Sequence, residues 1–429
     1  MSSNPLNFAK VDEAMKEHYH TLRVRNMVYK NNPFLGLVNK YRGFGGKSMP
    51  VPLRYHDPQR RSATFSTAQG NTSTSGLKQF TVERVQDYSF AYIDGETIQA
   101  SRGDNNAFLQ YLTMEIDGAM NSLVRSLAIS LYRDGHGSIG TVGAKTAGTA
   151  SDTGSEPGNS THDVLTLSNA EDITNFEVGM DIVSAASVSG SPTATARVIA
   201  IDRAAGKLTL DATPDNATDG YDGAASAISV GHLLFQAGDF TAASDRKKIS
   251  GLDAWLPKVA PVSGDSFMGV DRSADSTRLA GVRFDGSAMP IEEALMEAVA
   301  AVARDGGSPD VALCDFKTYV SLEKSLGSRV RYNSISAPDV DVGFAGIQLV
   351  GPSGTVNVIP DLNCVPDTVF LLQMDTWQLA SLNECPQFLD ADDNRILRDA
   401  GADAYECRLG YYAQLVCFAP GYNCRLSLA

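Results

Sequence analysis

Long hydrophobic runs are missing from this sequence of 429 residues. No stretch approaches the roughly 18 apolar residues that a membrane-spanning helix needs, and the most apolar segments contain Glu, Arg or Ser. The opening residues, MSSNPLNFAKVDEAMKEHYH, lack the apolar core and the small-residue cleavage site of a secretory signal. We therefore expect neither a membrane span nor export. The hydrophobic content of 43% still provides for buried cores.

Cysteine and histidine are scarce. The 6 Cys lie in the last third of the chain without any C-x-x-C pair, which favours buried thiols in a reducing cytosol over a disulfide framework. The 6 His do not reach metal-ligand spacing, because His18 and His20 diverge on a predicted helix. We expect no metal site and no cofactor.

No catalytic motif is complete. In GFGGKS (residues 43–48), Tyr41 stands where a phosphate-binding loop needs Gly, and Pro50 prevents the helix that must follow it. The acidic run at residues 390–394 begins like a calcium loop but has Arg395 and Gly401 at its sixth and twelfth positions. These incomplete motifs favour a structural protein over an enzyme.

Charge is unevenly distributed along the chain, which has 50 Asp+Glu and 36 Lys+Arg. The first 61 residues contain 11 basic and 4 acidic side chains, whereas residues 136–240 contain 4 and 13. The cationic end and the acidic remainder are therefore suited to different surroundings, although a chance surface imbalance is an equal alternative.

The N-terminal third predicts three successive elements. Residues 8–30 have apolar side chains at helical spacing and form an amphipathic helix that must lie on another surface. From residue 47 to 93 the period changes to two, with a polar tip at residues 70–76, which predicts a ribbon of about 20 residues per arm reaching ~65 Å. Such a ribbon needs a partner surface, and a second copy of the chain is the simplest one.

A long helix is predicted at residues 104–135. Asp104 and Asn105 cap its N-terminal end, and Gly135 ends it. The predicted core stripe is Leu109, Leu112, Ile116, Met120, Leu123, Leu127 and Leu131.

Residues 136–240 differ from both flanks. A linker-like leader rich in Gly, Ser and Thr precedes short β-type runs at residues 164–167, 176–183, 195–201 and 207–210, which predict an inserted all-β module. The chain then resumes mixed structure, with helices opening at Pro290 and Asp315 and short strands to the end. The fold class is therefore α+β.

This order of elements resembles the major capsid (coat) protein of tailed double-stranded DNA bacteriophages, with the Hong Kong 97-type fold. The phrases NNPFLGLVNKYRGFGGKSMPVPLRYHDPQRRSATFSTAQGN and KKISGLDAWLP are similar to the extended-loop region and to the return from an insertion. The resemblance covers roughly residues 1–135 and 240–429. It implies the following division: N-terminal arm 1–46, extended loop and start of the peripheral domain 47–103, spine helix 104–135, inserted module 136–240, return to the peripheral domain 241–285, and axial domain with C-terminal strands 286–429.

The resemblance implies a non-enzymatic virion protein that self-assembles into hexamers and pentamers of an icosahedral head around double-stranded DNA. An encapsulin-like nanocompartment shell is the alternative. Implied partners are further copies of the chain, a portal and a scaffolding protein, with a decoration protein left open, and assembly would take place in the host bacterial cytoplasm. We expect Arg23, Arg25 and Lys30 to face the lumen and its packaged phosphates. The inserted module is either an external elaboration or a clamp between subunits.

Overall fold

The computed structural model describes residues 32–96, 105–146, 162–211, 227–241, 245–326, 332–337, 340–352, 354–389, 397–398 and 401–428. The lumen-facing candidates Arg23, Arg25 and Lys30 lie outside these residues. The helices are α1 (Pro33–Leu37), α2 (Phe65–Gly70), α3 (Asn105–Tyr132), α4 (Leu252–Trp255), α5 (Ile291–Arg304) and α6 (Phe316–Leu326). None of the helices among the described residues has the length and apolarity to cross a membrane.

The strands in chain order are β1 (Asn39–Tyr41), β2 (Ser48–His56), β3 (Gly76–Glu83), β4 (Val85–Asp94), β5 (Ser138–Thr146), β6 (Asp163–Leu167), β7 (Asp181–Ala185), β8 (Pro192–Asp202), β9 (Lys207–Asp211), β10 (Leu233–Gln236), β11 (Ser266–Phe267), β12 (Val270–Asp271), β13 (Val282–Asp285), β14 (Val311–Cys314), β15 (Tyr332–Ala337), β16 (Val340–Gly351), β17 (Gly354–Pro360), β18 (Thr368–Leu372), β19 (Trp377–Ser381), β20 (Gln387–Phe388), β21 (Leu397–Arg398), β22 (Ala404–Cys417) and β23 (Cys424–Ser427).

The peripheral sheet is organised around β22. Strand β4 lies antiparallel along one edge of β22, and β19, β20 and β21 share the other edge, since Leu409 pairs with both Ser89 and Phe388. Strand β1 adds to β19 in parallel. Helix α3 packs across β4 and β22, so the spine and the sheet bury each other.

Burial along α3 increases towards its C-terminal end. Leu123, Leu127 and Leu131 are buried, whereas Ile116 and Met120 are half-buried. The side chains of Leu109 and Leu112 are outside the described part of the chain. Among the described side chains of this stripe, those in the last part of the helix are therefore the better buried.

A second sheet has seven strands in the order β13-β23-β18-β14-β17-β16-β15. Helices α5 and α6 contact each other, and α5 packs on β13, β16 and β23 while α6 packs on β17. The central strands β14 and β18 are buried at every position, as expected for strands covered on both faces. Their apolar runs explain why the sequence predicted this region correctly as α+β.

The inserted module is a closed barrel with strand order β10-β5-β6-β9-β8-β7. It has its own core, which includes Phe176, Ile182 and Leu234. Two expectations for this segment were wrong. The leader expected to be a linker contains β5. Of the strand expected over residues 176–183, residues 176–180 form a loop and only 181–183 belong to a strand, the short β7.

The ribbon is shorter than expected. Strands β2 and β3 pair from Ser48–Glu83 to His56–Gly76, which gives a length of about 30 Å at ~3.3 Å per residue. Helix α2 lies in the segment beyond these paired strands, and β4 departs from the ribbon to join β22. Apolar and polar residues alternate in both segments, as expected for strands. Strand β4 joins the sheet of β22, where helix α3 covers its inward side chains.

Candidate assembly surfaces

The base of the ribbon is fixed by aromatic packing. Phe80 of β3 lies with its ring centre 5.1 Å from that of Trp255, and Phe267 lies 5.0 Å from Trp255 in an edge-on arrangement. The backbone of Thr81 also donates a hydrogen bond to the carbonyl of Met268 at 2.8 Å. All three rings are fully buried, so the ribbon leaves the subunit from a rigid root.

The outer part of the ribbon exposes apolar side chains. Phe65 of α2 is 81% exposed and Leu77 of β3 is 69% exposed. Arg54 and Asp57 form an ion pair of 3.2 Å with both side chains largely in solvent, which contributes little to stability. An exposed Phe on a structured projection is typical of a surface that another molecule covers.

A second apolar surface lies on the outer face of the peripheral sheet. Tyr88 and Phe90 of β4 are exposed on the face opposite α3, and Tyr412 of β22 lies beside them. The Tyr88 hydroxyl donates to that of Tyr412 at 3.3 Å. Burial and this contact raise the pKa of Tyr88 to about 12, so its hydroxyl stays neutral at physiological pH.

The barrel is attached to α3 by ion pairs. Arg125 of α3 contacts Glu177, whose other oxygen accepts from Arg203 at 2.9 Å. Arg133, at the end of the helix, pairs with Asp172 at 2.5 Å, and both of these side chains are mostly buried. The barrel therefore has a defined orientation on the spine.

The motifs that were rejected in the sequence have structural explanations. In GFGGKS, Phe44 is buried and Arg84 both lies over its ring and donates to its carbonyl oxygen, so the segment is a packed turn leading into β2. Among the described residues, no group of His, Cys, Asp and Glu could hold a metal ion. Cys314, Cys364, Cys417 and Cys424 are free buried thiols whose pKa values burial raises.

Sequence and fold comparisons agree with this architecture. Residues 232–393 match the family model described as SU10 major capsid protein. A chain of the cyanophage A-1(L) capsid asymmetric unit is similar in fold, with 14% identity, a TM-score of 0.53 and coverage of 92% of both chains. The chain therefore has the Hong Kong 97-type capsid fold, and its residues 232–393 are similar to a major capsid protein.

Two further solved structures have lower TM-scores against this chain. The capsid of Myoviridae phage XM1 gives 8% identity and a TM-score of 0.42, covering 96% of this chain and 97% of its own. The SrpI encapsulin of Synechococcus elongatus gives 7% identity and a TM-score of 0.45, covering 97% and 94%. These low scores decide nothing between a phage head and a nanocompartment. No curated protein matches the chain in sequence.

Two buried polar clusters of this chain were not anticipated from the sequence. Asp361 is buried and accepts from the Tyr132 hydroxyl at 2.7 Å and from the Phe34 amide at 3.4 Å, which joins α3, α1 and the end of β17. Lys248 is buried against Asp87 and lies at the return from the barrel. No local spacing connects these residues, so sequence patterns carried no signal for them.

Proposed function

We propose that this chain is a major capsid protein and forms the hexamers and pentamers of an icosahedral head that encloses double-stranded DNA. The observation that carries the proposal is the exposed apolar surface on the ribbon and the outer sheet, within a capsid fold. A lone subunit leaves Phe65, Leu77 and Phe90 in water, and burial against neighbouring copies would supply association free energy. Its partners would be further copies, a portal and a scaffolding protein in the host cytoplasm.

The ribbon test uses the exposed helix α2. Phe65→Asp should leave the subunit folded, since this side chain is 81% exposed, but should prevent shell formation. Ser66→Asp adds the same charge to the neighbouring exposed position and is the matched control, which should assemble normally. Electron microscopy counts shells in each preparation. Normal shells from Phe65→Asp would exclude a role for this side chain in assembly.

The size of the wild-type particle separates the alternatives. Negative-stain images of purified protein would show phage-sized heads under the proposal and small closed compartments under the encapsulin alternative. A discrete oligomer without a shell would contradict both.

The DNA-facing role is proposed for Arg23, Arg25 and Lys30 in the cationic N-terminal arm. Replacing all three with Glu should lower the DNA content of particles, because each cation near packaged phosphate releases counterions. Lys207→Glu, an exposed change on the acidic barrel, is the control. Equal absorbance ratios at 260 and 280 nm for purified mutant and wild-type particles would count against the assignment.

We place the barrel on the outside of the shell. The inserted segment has 13 acidic and 4 basic residues, which packaged DNA would repel. Deletion of residues 138–237 with a short Gly/Ser bridge should give shells of similar diameter that lack external density. A folded subunit that forms no shells would instead favour the clamp between subunits.

A further inference from the structure

The chain enters and leaves the barrel through one narrow place, and we call its described residues (133–137, 236–241 and 245–251) the neck. The Lys248 amide donates to the Gly135 carbonyl at 3.1 Å, and the Gly251 amide donates to that of Arg133 at 2.9 Å. The two crossing segments are therefore hydrogen-bonded to each other. Any movement of the barrel relative to the spine must break this joint.

A buried charge cluster lies inside the neck. The Nζ of Lys248 lies 2.7 Å from Asp87 Oδ2 and 3.0 Å from Asp239 Oδ2, with only 7% of the lysine side chain exposed. Ser126 of α3 and Tyr411 of β22 donate to the same Asp87 oxygen at 2.7 and 3.3 Å. We call these five residues the neck cluster. With both carboxyls ionised it holds two negative charges and one positive charge in a poorly solvated place.

The excess negative charge of the cluster disfavours ionisation of Asp239. Burial raises the pKa of Asp239 to about 6, and the nearby Asp87 acts in the same direction, while Lys248 and Lys247 oppose them. The ammonium group of Lys247 donates to the carbonyl oxygens of Gly238 and Phe240. The pKa of Tyr411 is raised well above its usual range, so its hydroxyl remains a neutral donor.

The direction of the effect follows from linkage. When the neck opens, Asp239 enters water, where a carboxyl of this kind has a pKa near 3.8. The closed neck therefore binds the proton more tightly than the open neck does. Lowering the pH through about 6 favours the closed neck, and the gain is complete near the pKa of the open form.

We propose that proton uptake by the neck cluster tightens the joint between barrel and body, so that the barrel is held more firmly in mildly acidic than in neutral surroundings. The proposal rests on two carboxylates sharing one buried ammonium where the inserted barrel joins the subunit.

A second carboxyl contact acts in the same direction. Glu171, in the 3-10 turn of the barrel, lies near Asp315, which precedes α6. Burial, Asp315 and Asp367 raise the pKa of Glu171. The positive charge of Lys317 opposes this rise. Asp315 caps α6 through one oxygen, and its other oxygen is buried without a hydrogen-bond partner. A protonated Glu171 can donate to the Asp315 carboxylate. Because Glu171 is exposed, its contribution is smaller than that of Asp239.

One group in the neck opposes the effect. Burial and Arg246 lower the pKa of His136 below 6.5, against the opposing charge of Asp134. Charging this histidine in acid would favour the open neck. The contributions of His136 and Asp239 therefore have opposite signs, and separate variants distinguish them.

Hydrogen exchange of the Lys248 amide in the full-length protein measures opening of the neck directly. After correction for the intrinsic exchange rate at each pH, protection in the wild type should rise about tenfold from about pH 7 to about pH 5, as expected for one carboxyl with a pKa near 6 when closed. Asp239→Asn removes the titrating group and the excess charge. Its protection should already be high near pH 7 and should lack the tenfold rise towards pH 5.

Two controls complete the design. Asp163→Asn changes a carboxyl of the barrel that pairs with Lys145 at 3.1 Å, away from the neck, and should keep the wild-type profile. His136→Gln should keep or steepen the rise. The proposal is overturned if wild-type protection is flat or falls towards acid, if Asp239→Asn retains the rise, or if His136→Gln abolishes it.

Discussion

Helix α3 offers a test of how burial is distributed in the subunit, since its apolar stripe is covered unevenly. Leu123 is 2% exposed and belongs to the buried cluster that contains Trp255 and Tyr411, whereas Ile116, two turns earlier, is half-buried. The two residues are on the same helix and have side chains of equal size. Equivalent substitutions should therefore have unequal effects on the free energy of unfolding.

Leu123→Asp should abolish folding. It removes about 2 kcal/mol of apolar burial and places a carboxyl without a partner in the core, at a further cost of at least about 3 kcal/mol. The total is comparable with the whole stability of many domains, about 5–15 kcal/mol. Ile116→Asp keeps contact with water and should yield soluble, folded subunits.

The alanine variants give a graded measurement. Leu123→Ala should lower the free energy of unfolding by about 2–5 kcal/mol, and Ile116→Ala should lower it by less than half as much. Urea unfolding of the unassembled subunit, followed by far-ultraviolet circular dichroism, measures both. Equal losses for the two variants, or a Leu123→Asp protein with wild-type stability, would refute the burial gradient along the helix.

Three further predictions concern buried contacts. Tyr132→Phe removes the hydrogen bond to buried Asp361 and should cost about 1.5–3 kcal/mol in urea unfolding, and an unchanged midpoint would contradict this role. Gly251→Ala places a methyl group against the backbone of Leu131 at the end of α3 and should greatly reduce the yield of folded protein. Normal expression and an unchanged melting temperature would be evidence against this close approach of the two backbones. Burial raises the pKa of Cys385 to about 12, so this thiol should react with iodoacetamide at neutral pH only after unfolding; rapid labelling of the native protein, located by peptide mass spectrometry, would disprove it.

The sequence determined those elements whose signal is local. The repeat of apolar residues at helical spacing defines α3, and the apolar run of β14 defines a strand buried on both faces. The capsid resemblance, and with it the α+β fold class, followed from the order of such elements. Each of these depends on residues within a few turns or one strand of each other, which is the range over which periodicity carries information.

Tertiary structure decided the rest, because the deciding contacts join distant parts of the chain. Strand β5 looked like a linker because of its glycines, yet Gly140 and Gly143 are needed where the Phe176 ring and the Ser168 backbone approach closely in the closed barrel. The alternation in β4 predicted a strand but could not identify β22, more than 300 residues later, as its partner. The neck cluster likewise exists only once the barrel closes and its two ends meet, since burial and proximity, not residue type, give its carboxylates their properties.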